Sequence, residues 1–329
     1  MRVLACPDKF RGTATAVEIA KAVAAAASDA GWDCDVQPMA DGGEGTLEAF
    51  GGANRTTAVT GPDGSSVQAE WHLSGKLAVI EMARASGLDL VGGAELNDAM
   101  EATTAGTGEL ISAAADCGAT KIIVGLGGSA TTDGGMGALR AMAPLARYRG
   151  VDIEVAADVR TKFIDAAAVF GPQKGASAAQ VALLQGRLAR LAQVYCEEHG
   201  VEVADVPRSG AAGGLGGGLF AVGANLCDGF ELIADSVGLY DQIDQADLAV
   251  TGEGCLDATS FDGKVVGGVA ELARHAGVPV VAVVGRATDD AVGKIPTVDL
   301  TERFGEERAM NDTLRCVESA TRDWLSACL

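Results

Sequence analysis

The chain has 329 residues, with 25 Lys and Arg against 45 Asp and Glu, a formal net charge of −20 at pH 7. That excess of acid excludes the basic patches that nucleic acids and anionic membrane surfaces require, and no apolar run approaches the roughly 18 residues of a membrane span. The length suits one large or two ordinary domains, and 48 % hydrophobic residues with only 4 % aromatic predict cores of small aliphatic side chains.

Residues 1–7 read as a strand that enters a polar loop over 8–13. The apolar start is too short for a signal segment and Asp8 follows at once, so a cytoplasmic protein is expected. Residues 14–30 are alanine-rich with Ile19 and Val23 on one face, which predicts a helix closed by Gly31. A strand over 34–39 and a helical segment to 50 complete a βαβα start. The character then changes. Residues 56–60, 67–73 and 77–82 are β-type runs separated by Gly61-Pro62-Asp63-Gly64 and Ser74-Gly75, the pattern of antiparallel hairpins. This shift marks a domain boundary near residue 60.

Residues 106–117 predict a helix, 121–125 a buried strand and 151–157 another strand. A long helix is expected over 176–199, with Val181, Leu184, Leu188, Leu191 and Tyr195 at helical spacing as core. Strand, helix, strand, strand follow over 246–251, 265–276, 278–285 and 297–300, and a terminal helix over 316–329. The C-terminal part resumes the pattern of the N-terminus. The expected fold is α/β in two domains: a discontinuous parallel-sheet domain of residues 1–60 plus 240–329, and an inserted second α/β domain of residues 61–239.

Eight cysteines contain no C-x-x-C pair, and three histidines, His72, His199 and His275, have no metal-ligand spacing. Buried thiols and structural or surface histidines are therefore expected, rather than disulfides or a zinc site.

Three clusters join glycine to acid at strand ends: Asp41-Gly42-Gly43-Glu44-Gly45-Thr46, Gly127-Gly128-Ser129-Ala130-Thr131-Thr132-Asp133-Gly134-Gly135, and Thr251-Gly252-Glu253-Gly254. Glycine lets backbone N–H groups crowd an anion. An acid in the same loop calls for a cation or for a proton to accept, so the combination points to Mg²⁺-assisted handling of a phosphorylated ligand. Tight turns with solvated acids are the plainer reading of any single cluster. Gly125-x-Gly127-x-x-Ala130 matches a dinucleotide fingerprint in form, but Thr131 to Gly135 stands where a helix should begin. A dinucleotide-dependent oxidoreductase is the weaker alternative on that ground. No Walker A loop is present: Gly263-Lys264 lacks the upstream glycine and is followed by Val265. Asp8-Lys9-Phe10-Arg11-Gly12-Thr13 places two cations before a helix, and Lys174 lies in Phe170-Gly171-Pro172-Gln173-Lys174-Gly175-Ala176. The glycines of residues 210–218 make either a ligand nest or a close helix contact.

These motifs, taken together and in order, cover nearly the whole chain and resemble the type I glycerate kinases. The resemblance implies ATP-dependent phosphorylation of D-glycerate, usually at the 2-hydroxyl, by a flavodoxin-like domain plus a second domain of restriction-endonuclease-like topology. A kinase for another small hydroxy-acid is the alternative. The sequence departs from the family at Lys9 and Arg11, at Thr132 and at Arg160-Thr161-Lys162-Phe163, and these positions bear on the acceptor. Within this chemistry Asp41, Asp133 and Lys9 are the expected catalytic groups. Asp8, Arg11, Ser129, Thr131, Thr132 and Lys174 are expected to meet substrate. Gly42, Gly43, Gly45, Thr46, Gly127, Gly128, Gly213, Gly214, Gly252, Gly254 and Lys264 are expected to meet the phosphates of ATP, and Glu44, Glu253 and Asp257 to meet Mg²⁺. The expected partner is a small molecule, glycerate, with no nucleic acid and no membrane; nothing in the sequence fixes an oligomeric state.

Overall fold

A computed structural model describes residues 1–327, and the last two residues of the expected terminal helix, with Cys328, lie outside the described residues. The chain divides into two compact units: Met1–Asp41 together with the chain from Phe230 onward, and Gly42–Gly229.

The first unit is built on a five-stranded sheet, parallel throughout. Its spatial order is Thr297–Asp299, Val280–Val284, Leu248–Thr251, Arg2–Ala5, Asp33–Val36. Numbered within the unit that order is 5-4-3-1-2, the flavodoxin-like doubly wound arrangement. Val3, Ala5, Leu248, Val250, Val281 and Val283 face one layer with Ile19, Val23, Val317 and Leu325. The opposite side chains of Val280–Val284, Ala282 and Val284, pack with Val266 and Leu256. Helix Ala16–Asp29 starts where the sequence says it should: Thr15 accepts from the Glu18 amide while the Glu18 carboxylate returns to the Thr15 N–H, a reciprocal cap. Gly31 then takes a φ of 75° after its last turn.

The second unit carries a six-stranded sheet in sequential order: Arg55–Thr60, Ser66–Ser74, Leu77–Glu81, Lys121–Gly125, Asp152–Ala157, Asn225–Asp228. The first three are antiparallel and the last four parallel. The hairpins thus fall where the Gly/Pro punctuation placed them. Ile80, Ile122, Val124, Ile153 and Val155 form its core with Leu110, Ile111, Leu215 and Leu219. The long helix Ala178–His199 opens on a Ser177–Gln180 capping box, and Leu184, Leu188 and Tyr195 bury against Phe163.

Some expectations change. The helical segment expected up to residue 50 is only Thr46–Ala49. The terminal helix begins earlier, at Thr313, and Leu300 opens a helix instead of closing a strand. Buried thiols describe Cys6 and Cys316, whereas Cys117 is exposed and Cys34, Cys196, Cys227 and Cys255 are half-buried; among the described residues all are free. Among the described residues no helix is long and apolar enough to cross a membrane.

Candidate functional site

In the first unit, the strands Arg2–Ala5 and Leu248–Thr251 are neighbours at the point where the strand order reverses. Crevices outside the carboxyl ends of strands at such a switch point are where doubly wound folds bind ligands. The chain leaves these two strands into Pro7-Asp8-Lys9 and Gly252-Glu253-Gly254. The loops are tied together: Asp8 donates its N–H to the Gly252 carbonyl at 2.8 Å, and Thr251 Oγ1 donates to the Cys6 carbonyl at 3.0 Å. Gly252 has no room for a side chain, because a Cβ there would run into the Val283 carbonyl oxygen.

Acids gather here. Asp8 is 8 % exposed. Burial raises its carboxyl to about 7, and the Asp41 and Glu253 carboxylates add to the rise, against the opposing pull of Lys9. Lys9 meets Asp8 Oδ1 twice, through its N–H at 2.7 Å and its ammonium at 3.6 Å. Burial also raises Glu253, with Asp257 and Asp41 adding to it and Ser260 and Lys264 opposing. Glu253 Oε1 is buried without a hydrogen-bond partner.

Beyond Glu253 the chain forms a short turn, Ala258–Phe261, capped by Asp257 Oδ1, which accepts from the Thr259 and Ser260 amides. Those hydrogen bonds, led by the Thr259 hydroxyl, hold Asp257 below the usual carboxylate range. Lys264 stands at the N-cap of Val265–Ala276, a helix start with no side-chain cap, and its ammonium donates to Thr259 Oγ1 at 3.2 Å. Arg11 is exposed. This unit therefore groups Asp8, Lys9, Asp41, Gly252, Glu253, Gly254, Asp257 and Lys264 around the ends of two adjacent strands.

The second unit holds the other two glycine clusters, and most of their glycines answer to close packing. A Cβ at Gly42 would come within 2.8 Å of the Ala156 Cβ, one at Gly125 within 2.6 Å of the Gly42 carbonyl oxygen, and one at Gly127 within 2.7 Å of the Gly43 Cα. Gly45 and Thr46 have their donors engaged. The Gly45 and Leu47 amides both donate to Glu81 Oε1, at 3.0 and 2.9 Å, and the Thr46 hydroxyl donates to the Gly43 carbonyl. An internal carboxylate thus sits where the sequence placed a phosphate. Glu81 is buried, and desolvation raises it although Arg84 pairs with it at 3.2 Å. Glu44 and Gly128 are exposed.

The second cluster, residues 127–135, leads to a different arrangement. Asp133 caps two helices at once. Its Oδ2 accepts from the Thr104 amide, the Thr104 hydroxyl and the Gly137 amide, and its Oδ1 from the Gly135 amide, all between 2.8 and 3.1 Å. Those contacts serve the starts of Ala105–Asp116 and Met136–Met142. Ser129 and Thr131 instead face Lys174, which is 2 % exposed. Its ammonium donates to Ser129 Oγ at 2.7 Å and to the Thr131 carbonyl at 2.6 Å. Burial lowers Lys174 to about 7, with Asp133 opposing that shift. The Thr132 hydroxyl is buried and has no hydrogen-bond partner. Gly213 and Gly214 belong to a close helix contact: with Ala212 they take left-handed φ values of 52°, 67° and 93° inside Ala211–Ala221, and a Cβ on Gly213 would strike the Thr131 carbonyl oxygen.

Sequence reasoning passed over Glu81, Arg84, Asn97 and Thr104. Glu81 had a signal, an acid closing an apolar strand with Arg84 three residues on. Thr104 and Asn97 had none, because their partners lie about thirty or more residues away.

The sequence model of the glycerate kinase family matches residues 3–146 and 142–326. A glycerate 2-kinase of Escherichia coli is 40 % identical over 330 aligned positions, covering 88 % of this chain and 86 % of that protein. A glycerate kinase of Halalkalibacterium halodurans is 38 % identical, covering 86 % and 85 %. A crystal structure from Salmonella typhimurium LT2, described as glycerate kinase 2, superposes with a TM-score of 0.87 at 35 % identity, covering 100 % of this chain and 98 % of that one.

Proposed function

This chain belongs to the glycerate kinase family, and on that premise we propose that it phosphorylates the 2-hydroxyl of D-glycerate. The activity is that of a glycerate kinase, with ATP as the donor that a kinase of this family uses. Support for the hydroxyl position is the name of the Escherichia coli relative, glycerate 2-kinase. One observation supports the placing of the chemistry: Asp8, Asp41 and Glu253 gather at one switch point, where burial first and the neighbouring carboxylates second raise the proton affinities of Asp8 and Glu253, and Glu253 keeps a buried oxygen without a hydrogen-bond partner.

That set fits Mg²⁺ carried on nucleotide phosphates, which ordinarily meets protein through one or two carboxylates. Among the described residues no three acidic, cysteine or histidine side chains converge as an all-protein metal site. Asp41 and Glu253 are the residues that would hold the ion. Bound there, Mg²⁺ supplies neutralisation of the charge on the transferring phosphoryl group. Lys264, at an uncapped helix start, has the charge and the neighbouring N–H groups to take phosphate oxygens, and Asp257 keeps its turn in place.

Asp8 accepts the hydroxyl proton of glycerate, because burial holds its carboxyl near neutral pH, where a general base works best. Lys9 sets its orientation through Oδ1. Asp133 serves the fold of its loop, since both of its oxygens are engaged in caps.

The test is a Mg²⁺ titration of ATP- and glycerate-dependent ADP release. Glu253→Gln, similar in shape but neutral, is expected to need at least about tenfold more Mg²⁺ for half-maximal rate. An unchanged Mg²⁺ requirement would remove Glu253 from the metal site.

A further inference from the structure

Ser260 is fully enclosed, yet its hydroxyl carries a proton that its own turn does not use. The turn Ala258–Phe261 closes on a reciprocal pair. Asp257 Oδ1 accepts from the Ser260 amide at 3.2 Å, and Ser260 Oγ accepts from the Asp257 amide at 3.0 Å. An amide N–H only donates, so it occupies a lone pair of Oγ and leaves the Ser260 O–H to point elsewhere. A buried hydroxyl hydrogen needs an acceptor, and the Ser260 side chain meets the Glu253 carboxylate as a hydrogen-bond donor. The other side of the turn is directed in the same way. The Lys264 ammonium donates to Thr259 Oγ1 at 3.2 Å, and the Thr259 hydroxyl donates onward to Asp257 Oδ1 at 2.6 Å.

The turn and the acid are both held from outside. A Cβ at Gly267 would come within 2.6 Å of the Phe261 Cα and 2.7 Å of the Ser260 carbonyl oxygen, so helix Val265–Ala276 rests directly on the turn. The Lys294 ammonium lies 4.6 Å from the centre of the Phe261 ring. The Glu253 carbonyl accepts from the Gly285 amide at 3.1 Å, which fixes the backbone from which its side chain leaves. Glu253 Oε1 is buried without a hydrogen-bond partner. We infer that Ser260 is a positioning residue for Mg²⁺: its hydroxyl hydrogen holds the Glu253 carboxylate in one conformation, so that Oε1 stays turned to the ion that the nucleotide phosphates carry. Ser260 itself touches neither metal nor nucleotide. A glutamate side chain fixed before the ion arrives spares binding an ordering cost, and hydrogen-bond partners of metal-holding carboxylates commonly matter about 10–100-fold in metal affinity. Because Lys264 leans on the same turn through Thr259, one short segment sets both the cation for phosphate and the carboxylate for metal. This inference rests on the reading that Glu253 meets Mg²⁺.

The experiment is a binding cycle without turnover. The full chain is titrated in a calorimeter with a non-hydrolysable ATP analogue, once with Mn²⁺ on the nucleotide and once in EDTA, and the ratio of the two Kd values gives the contribution of the metal. Thermal melting checks the fold of each variant. Ser260→Ala is expected to cut that ratio about tenfold while the metal-free Kd stays within twofold. In a Glu253→Ala background, where the serine has no carboxylate to hold, Ser260→Ala is expected to change the ratio by less than twofold. Should Ser260→Ala fail to fold, Ser260→Cys keeps nearly the same volume but is a weak donor; its loss must likewise vanish with Glu253 absent. A loss of equal size in both backgrounds overturns the inference in favour of a purely structural serine. An unchanged ratio in Ser260→Ala beside a large loss in Glu253→Ala overturns it as well and leaves Glu253 at the metal. If Glu253→Ala alone leaves the ratio unchanged, Glu253 does not meet the ion, and the underlying reading falls with the inference.

Discussion

Asp8 illustrates how burial sets chemistry at a single residue. Its carboxyl is held at about 7, first by desolvation and then by neighbouring acids, against an ordinary value near 4 in an unfolded chain. The folded state therefore binds this proton more tightly than the unfolded state. The stability Asp8 contributes is fully present below about pH 4 and is lost as pH rises through about 7. At pH 8 the site holds a charge that the fold disfavours. Asp8→Asn is thus expected to raise the melting temperature at pH 8 while lowering kcat by about 10²–10⁴, the cost of losing a general base. Parallel melting curves and initial rates check both halves. A variant that is less stable and retains kcat would reverse the assignment. For the native enzyme the same proton makes kcat/KM fall as pH drops below about 7. Little of this was legible in the sequence, where Asp8 was expected to meet substrate and not to act as the base; its burial arises only when two strands far apart in the chain pair side by side.

At the scale of elements, the acid-and-glycine clusters carry two meanings that sequence alone does not separate. Thr251-Gly252-Glu253-Gly254 keeps its acid unsatisfied, as a ligand site would. Asp133 has the same glycine surroundings yet joins the starts of two helices. Asp133→Ala removes caps from both Ala105–Asp116 and Met136–Met142, each worth about 0.5–2 kcal/mol, so a loss of roughly 1–4 kcal/mol is expected. Chemical denaturation measures it. Asp133→Asn keeps one acceptor and is expected to lie closer to the native protein. If Asp133→Ala were as stable as the native protein but without turnover, the capping account would be wrong and the catalytic one restored. The backbone does approach closely at Gly42, Gly125 and Gly213, but only for residues 210–218 was a close helix contact among the expected readings, because whether the approaching group is a ligand or another loop depends on tertiary contacts. Glu81 shows the difference: its carboxylate fills the helix start at Gly45 and Leu47 that looked ready for phosphate.

For the whole molecule, the architecture of the first unit was well marked. Strand-helix alternation at both chain ends, with a hairpin-bearing segment between, predicts a discontinuous α/β domain, and the 5-4-3-1-2 order follows the doubly wound pattern. The switch point then falls where the acid loops are, without any further assumption. The break in contacts at Asp41–Gly42 was not marked. Composition changes near residue 60, where the hairpins begin, while the contacts divide earlier, inside a glycine loop whose local sequence is uniform. The strand Asn225–Asp228 and the helices that follow were missed because each is short and carries little periodicity.

The central claim is that these loops transfer a phosphoryl group from ATP to the 2-hydroxyl of D-glycerate, and phosphorus NMR of the purified protein with ATP, Mg²⁺ and D-glycerate tests it most directly. The account predicts one new phosphomonoester signal, matching 2-phosphoglycerate, growing in step with ADP. A signal matching 3-phosphoglycerate would contradict the position, and ADP without any phosphoglycerate would contradict the transfer itself.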